Sequence, residues 1–396
     1  MAGLPVGIFG SSTPSEAADG STSGYSPNPA EAEALGQILA ARRVQRERAE
    51  EARRVVRDHF NNLTSFRYEA QIGSGVFGVA HSVVEKRVAR RARKLVVKRA
   101  QSERAQTELR HEIMMMSRLN GSAHIASVIA TNDDNPNARR RRGIFGRMVA
   151  QIIRRRKNIL VGLPGPALVL EYLGNGTVNG LLSSLVRHNK SLPNRLLWSF
   201  YLCLVRACVA MKFPPAKPFG AKPKLEEIPE DQSAPGNIMH GDMHSGNVLI
   251  GTVGDFQEHA AMPPLKLIDF GLALVREQSD ERNLLDVSKQ IYYMIIGKYD
   301  RVGFRHVLHN GINTMATDIL PRNGQARYPM LEDDLRDFVA RCLARDPADR
   351  PSLAEALETC KNAVETKTPG LYGFNAGRET DYGIGLLLQE LVYNAI

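Results

Sequence analysis

The most informative stretch of this 396-residue chain is HGDMHSGN, at His240–Asn247. It is followed by IDFG at Ile268–Gly271, and it is preceded by GSGVFG at Gly73–Gly78 and by LVVK, which ends at Lys98. Each string alone is weak evidence, because a pattern with few fixed residues also occurs by chance. The ordered set is informative, because it combines a glycine turn, a cation, and carboxylate and amide oxygens that suit a metal ion.

The glycine string predicts a turn whose backbone can approach a bound phosphate closely, since Gly73, Gly75 and Gly78 carry no Cβ atoms. The flanking sequence, Phe66–Val84, is β-rich on both sides of the turn. It therefore favours a hairpin over the strand-turn-helix of a dinucleotide site. A plain hairpin turn is the alternative. Lys98 ends a third apolar strand, where a buried ammonium needs an anionic partner, unless it is a surface lysine.

The ordered strings resemble those of the protein kinase superfamily, and the likeness covers most of residues 66–360. The resemblance implies an α+β, bilobal protein kinase-like fold, with a β-rich N-terminal lobe and an α-helical C-terminal lobe. It also implies ATP and Mg2+ as cofactors. We expect an ATP- and Mg-dependent phosphotransferase that acts on serine or threonine hydroxyls of a protein substrate.

The same resemblance implies a role for each residue of the site. The implied catalytic residues are Asp242, Lys98, Glu112 and His244. The implied nucleotide contacts are Gly73, Gly75, Gly78, Ala80, Val96, Lys98, Leu170, Glu171 and Leu173. The implied magnesium ligands are Asn247 and Asp269. Asp242 would accept or orient the acceptor hydroxyl, and Glu112 would pair with Lys98, with Glu108 as the alternative. The resemblance also implies that Phe270 stacks on His240.

Two departures leave the substrate class open. Gly241 occupies the position at which protein kinases usually have an arginine that binds the phosphorylated activation loop. His244 occupies the position at which many kinases have a lysine that assists the acceptor. The pattern HGDxHxGN also occurs in small-molecule kinases such as the aminoglycoside and choline phosphotransferases. Only 17 positions separate Asp269 from Asp286, which resembles the buried aspartate that begins the central helix. We therefore expect the loop that docks a peptide to be largely missing.

The string CLARDPADRPSLAEAL, at Cys342–Leu357, resembles the closing helices of protein kinases. Its arginine, Arg350, has lost the APE glutamate with which it usually pairs. Three alternatives to a protein kinase remain: a small-molecule phosphotransferase, a pseudokinase scaffold, and a nucleic-acid binder built on the arginine runs. The alternative for Asp242 and Asp269 is that they are ordinary turn carboxylates without a catalytic role.

The net charge of +10 is concentrated in residues 131–166, which carry nine arginines and lysines against two aspartates. A flexible surface loop is the expected form of this run, and a nuclear import signal or a patch for an anionic partner is the alternative. The four cysteines lack the density of a disulfide scaffold and the CxxC spacing of a zinc motif, which favours a cytoplasmic or nuclear protein. Neither a signal peptide nor a membrane span is expected.

The predicted organisation has five parts. They are a disordered tail at 1–28, a charged helix at 29–60, the N-lobe at 61–173 with its basic insert at 131–166, the C-lobe at 174–365 with a proline-rich insert at 213–235, and an extension at 366–396. Within the lobes, His124–Ala130 is expected to be a strand, and Asn194–Met211 is expected to be the most apolar helix.

Overall fold

The structure is a computed structural model that describes residues 28–74, 78–87, 91–132, 159–231, 234–254, 256–297 and 305–394. The predicted tail, apart from Asn28, and residues 133–158 of the basic insert lie outside the described residues, as does Gly75. The chain divides into two compact units. Unit 1 is Met1–Arg110 with Ala130–Tyr172, and unit 2 is His111–Ile129 with Leu173–Ile396.

The fold class is α+β, as the sequence predicts. The helices are α1 (Pro29–Asn61), α2 (Glu103–Leu119), α3 (Val178–His188), α4 (Asn194–Lys212), α5 (Ser279–Ile296), α6 (Asp333–Cys342), α7 (Leu353–Thr366), α8 (Ala376–Glu379) and α9 (Asp381–Leu388). The strands are β1 (Phe66–Ser74), β2 (Val79–Glu85), β3 (Arg93–Arg99), β4 (Val128–Asn132), β5 (Ala167–Glu171), β6 (Ile238–Met239), β7 (Val248–Ile250), β8 (Leu265–Leu267), β9 (Leu274–Val275), β10 (Val307–His309) and β11 (Ile312–Thr314). Among the described residues, no helix is long and apolar enough to cross a membrane.

A five-stranded sheet in the order β1-β2-β3-β5-β4 forms the centre of unit 1. The strands β1, β2, β3 and β5 pair antiparallel. The strand β3 buries Leu95 and Val97 completely, whereas Lys94, Val96 and Lys98 point to the opposite face and are less buried. This alternation has the period of two that a strand with one core face requires.

The helix α1 packs its C-terminal half against the sheet. Ala52, Val56 and Phe60 are buried and lie four residues apart, so they form one stripe along the helix. The rings of Phe60 and Phe66 meet edge to face, with their centroids 5.6 Å apart. The N-terminal half differs, because Leu39 is 54% exposed there. The buried stripe is therefore what joins the helix to unit 1.

The helix α4 is the core of unit 2. Every residue from Leu196 to Met211 is buried, and a helix that is buried on all sides needs neighbours around it. The helices α5 and α7 supply them, and the hydroxyls of Tyr201 and Ser288 meet at 2.6 Å between α4 and α5. This helix is the one that the sequence identifies as most apolar.

The C-terminal extension supplies the N-terminal cap of α4. The residue before the helix is Pro193, whose side chain accepts no hydrogen bond. The buried carboxylate of Glu379 accepts hydrogen bonds at 2.9 Å from the backbone N–H groups of Asn194 and Arg195. A distant residue thus satisfies N–H groups that the helix leaves free.

A strand is expected at His124–Ala130, but the strand found in this region, β4, begins only at Val128 and ends at Asn132. In the preceding turn the backbone N–H of His124 donates to the Glu226 carboxylate at 2.9 Å instead of joining a sheet. Glu226 belongs to the proline-rich insert, whose described residues, 213–231 and 234–235, contain neither helix nor strand. That irregular conformation agrees with the sequence prediction.

The stripe on α1 gives a testable prediction. Replacing Phe60→Ala removes a fully buried ring and is expected to lower the free energy of unfolding by about 3–5 kcal/mol. Leu39→Ala, on the exposed half of the same helix, is the control and should change it by less than about 0.5 kcal/mol. Urea denaturation measures both. Equal losses would contradict the packing described for α1.

Candidate active site

The loop His240–Asn247 is held to its neighbours by a buried histidine. The backbone N–H of Asp242 donates to Nδ1 of His240 at 3.3 Å, so Nε2 carries the proton and donates to the carbonyl of Ile268 at 3.0 Å. Burial lowers the pKa of His240, which keeps the ring neutral. The centroids of the His240 and Phe270 rings lie 4.6 Å apart with an angle of 49° between the ring planes, so the expected contact is present but the rings are tilted and not stacked.

Asn283 and Gln290 on α5 anchor the backbone around this loop. Asn283 accepts a hydrogen bond from the N–H of His240 at 3.1 Å and donates to the carbonyl of Ile238 at 2.8 Å. Gln290, seven residues later on the same helix face, donates to the carbonyl of Met243 at 3.3 Å. Both amides are buried. They stabilise the loop without contacting a substrate, and the sequence analysis missed them.

The expectation that Asp286 is the buried aspartate at the start of the central helix is wrong. The helix α5 begins at Ser279, and Asp286 lies two turns into it. Its carboxylate forms ion pairs with Arg282 at 2.8 Å and Lys289 at 3.0 Å along the same helix. Asn283, one turn earlier, occupies the buried position.

Three of the predicted site residues come together in unit 2. The amide of Asn247 donates to Asp242, at 2.9 Å to the carbonyl and at 3.3 Å to Oδ2. The carbonyl of Asn247 accepts from the N–H of Ile268 at 3.0 Å, next to Asp269. The charge of Asp269 acts on Asp242, whose pKa it tends to raise. The structure thus groups two carboxylates and one amide.

His244 faces the carboxylate of Asp242. Its Nδ1 accepts a hydrogen bond from the N–H of Gly246 at 3.0 Å, so the proton is on Nε2, which lies 3.7 Å from Oδ2 of Asp242. The interaction with His244 is the main cause that lowers the pKa of Asp242. The carboxylate is therefore ionised at neutral pH.

Asp269 has a backbone conformation that is uncommon for a residue other than glycine. Its φ is 65°, in the left-handed region that favours glycine. Aspartate tolerates this region better than most side chains, and six other non-glycine residues of the described chain also have a positive φ. The next residue, Phe270, is fully buried against His240. The conformation therefore shapes the turn into Phe270 and assigns no role to Asp269 by itself.

Gly241 has a local steric reason to be glycine. Its φ is 79°, and a Cβ atom there would overlap the carbonyl oxygen of Leu272. After Leu272 the chain forms β9, which pairs with β6, and it enters α5 at Ser279. The segment after Phe270 is thus short in the structure too.

The predicted nucleotide contacts of unit 1 share one face of the sheet. Gly73 pairs with Ala80, and Ala80 pairs with Lys98. Val96, two residues before Lys98, pairs with Leu170. Directly opposed residues and residues two apart point to the same face of a sheet.

The remaining predicted residues are placed as follows. Gly78 precedes β2, and a Cβ atom there would overlap the carbonyl oxygen of Arg99. Glu171 ends β5 in unit 1. Glu112 is buried and lies in the part of α2 that belongs to unit 2. Leu173 also belongs to unit 2. The alternative partner of Lys98, Glu108, forms an ion pair with Arg104 at 3.5 Å.

Comparison with known protein families finds no match, and comparison with curated proteins finds no similar sequence. The assignment of a function therefore depends on the residues and their geometry.

Gly241 gives the prediction for this site. Gly241→Ala is expected to lower the free energy of unfolding by roughly 3 kcal/mol or more, because it adds a backbone overlap to the strain of a positive φ. Gly176→Ala is the matched control, because its φ is 78° but no atom lies within 4 Å of the added Cβ. It should lose only about 1–2 kcal/mol. Thermal and urea unfolding would measure the difference, and equal losses would refute the close approach of Leu272.

Proposed function

We propose that this chain has a bilobal protein kinase-like fold and transfers the γ-phosphoryl group of ATP, with Mg2+, to a serine or threonine hydroxyl of a protein. The observation that supports this most is the grouping of Asp242, Asn247 and Asp269 in unit 2. Phosphoryl transfer needs little covalent chemistry from a protein. It needs positioned oxygens for the metal and a carboxylate at the acceptor.

The roles follow from the chemistry of each group. Asn247 and Asp269 supply the amide and carboxylate oxygens that would hold Mg2+, which when bound neutralises charge on the phosphates. Asp242 is ionised at neutral pH, so it can orient the acceptor hydroxyl and take its proton. His244 positions the Asp242 carboxylate through its Nε2 proton.

Unit 1 supports ATP as the phosphate donor. Its hairpin brings Gly73 opposite Ala80, and the next strand continues the row with Lys98. A lysine beside glycine backbone suits phosphates, and the apolar Ala80, Val96 and Leu170 on the same face suit an adenine ring. Gly75, also assigned to the nucleotide, lies outside the described residues.

A second candidate is a phosphotransferase for a small hydroxylated molecule. The short segment between Phe270 and Ser279 favours it, because those residues form only β9 and a turn. A peptide would need another surface to dock. A pseudokinase scaffold is less well supported, since a scaffold has no need for two residues suited to hold a metal, Asn247 and Asp269, next to Asp242. The anionic partner of the basic insert and the cytoplasmic or nuclear location stay predictions.

The proposal predicts that Asp269→Asn and Lys98→Met each reduce Mg-ATP turnover by at least about 100-fold, because each removes charge that acts on the phosphates. Both variants should remain folded by circular dichroism. The matched controls are Asp349→Asn, an exposed carboxylate, and Lys94→Met, which is on the same strand and face as Lys98. Full activity in either test variant would refute the assignment.

The acceptor class is read from the same assay. Mg-ATP is supplied with a protein mixture and, separately, with a mixture of hydroxylated metabolites. Labelled phosphoserine or phosphothreonine supports the protein kinase proposal. Label in metabolites alone selects the second candidate, and Asp242→Asn should abolish either signal.

The pair formed by His244 and Asp242 predicts a pH effect. His244 lowers the pKa of Asp242, so the carboxylate stays ionised to lower pH in the wild type. His244→Gln should raise that pKa and move the acid limb of kcat/KM to higher pH. The shift should be small, because the two side chains are 40% and 44% exposed and solvent screens their interaction. His188→Gln, on α3, is the control, and an unmoved acid limb in His244→Gln would contradict the positioning role.

A further inference from the structure

A second group of polar side chains lies buried in unit 2 and has no part in the proposed reaction. His124, Cys203 and His259 are each at most 1% exposed. The Nε2 atoms of the two histidines are 2.9 Å apart. One ring nitrogen of each histidine and the cysteine sulfur all lie within 4.8 Å of one another. Two imidazoles and a thiol at such distances are the donor set of a zinc site.

Glu258 supplies a fourth donor. Its Oε1 lies 3.2 Å from Nε2 of His259 and 3.9 Å from Nε2 of His124. In a tetrahedral site with bonds of about 2.0–2.3 Å, the donors are about 3.3–3.7 Å apart, so these separations need only small adjustments. Oε1 of Glu258 is buried and forms no hydrogen bond, although its carboxylate is otherwise well anchored. The nearest polar groups to this buried oxygen are the two histidine nitrogens, so it is directed into the cluster.

Outer partners hold two of the four donors, His124 and Glu258, whereas Nδ1 of His259 forms no hydrogen bond. Nδ1 of His124 donates to Oε2 of Glu226 at 2.7 Å, which turns Nε2 toward the cluster. Oε2 of Glu258 accepts from Arg206 at 2.8 Å, which leaves Oε1 for the cluster. Glu226 and Arg206 are themselves buried. A carboxylate behind a ligating histidine, and a hydrogen bond to a ligating carboxylate, are regular features of metal sites.

The charges of the cluster are compatible with a bound divalent cation. The carboxylates of Glu226 and Glu258 and the guanidinium of Arg206 sum to one negative charge. Without a metal, a proton on His124 balances this charge, because the carboxylate of Glu226 outweighs the effect of burial and raises the pKa of His124 to about 10. A divalent ion bound with Cys203 as thiolate brings the sum to zero, since the thiolate adds one negative charge and the ion two positive charges.

We propose that His124, Cys203, His259 and Glu258 form a structural zinc site. Four protein ligands close the coordination sphere, which is typical of a structural and not a catalytic zinc. The ligands come from the turn after α2, from α4, and from the turn Gln257–His259 between β7 and β8. The site would join these segments, and through Glu226 it would hold the proline-rich insert. The ligands are spread over residues 124–259, so the sequence contains no short cysteine motif that would indicate the site.

The test measures metal directly on the full chain. Purified protein, equilibrated with zinc and then dialysed, should contain about one zinc ion per chain by mass spectrometry. Replacement with Co2+ should give a sulfur-to-cobalt charge-transfer band in the near ultraviolet. Cys203→Ser should lose the band and most of the zinc. Cys208→Ser, a buried cysteine on the same helix, is the matched control and should keep both.

The opposite results overturn the proposal. Wild-type protein without zinc above background and without the cobalt band would mean that a proton shared by the two histidines, and not a metal, compensates the cluster. A band that survives in Cys203→Ser would exclude the sulfur ligand. If Cys203→Ser does not fold, His259→Gln replaces it, and unchanged zinc content there would also overturn the site. These outcomes are independent of kinase activity, because none of the four ligands belongs to the proposed active site.

Discussion

The arrangement of unit 2 depends on the buried imidazole of His240. Its two ring nitrogens bind backbone groups of two segments, the N–H of Asp242 and the carbonyl of Ile268. A shift of either segment would leave a buried polar atom unsatisfied, at a cost of about 1–3 kcal/mol. Asn283 adds the same constraint on the backbone of His240 and Ile238. These bonds bring Asp242 and Asp269, far apart in the sequence, into one site.

Gly241 and the segment after Phe270, where the sequence departs from the kinase pattern it resembles, meet at one close contact. The chain after Phe270 passes so close to the loop that the carbonyl oxygen of Leu272 fills the space of a Cβ atom at residue 241. After Leu272 the chain forms β9 and then α5. The guanidinium of Arg350 donates to the carbonyls of Ala344 and Arg345. The glycine at position 241 thus accommodates the path of the segment after Phe270.

Local patterns could be predicted, and long-range polar contacts could not. The strands around Gly73 are β-rich and the helix α4 is one apolar run, and a short window of sequence contains either pattern. The contact between Phe270 and His240 was expected from the resemblance. By contrast, the cap that Glu379 provides for α4 is a contact over 184 or more positions. Such a contact depends on the packed geometry, which spacing along the chain does not encode.

The strand β8 connects the two buried polar groups of unit 2. Leu267, its last residue, donates its N–H to the carbonyl of His124 at 2.9 Å and accepts from the N–H of Ala126 at 3.0 Å. The next residue, Ile268, binds the ring of His240. Asp269 thus follows a strand that is fixed on one side by the segment of His124 and on the other by the loop of His240. A strained backbone persists only where its surroundings over-determine it, and this double attachment is what lets Asp269 keep its positive φ.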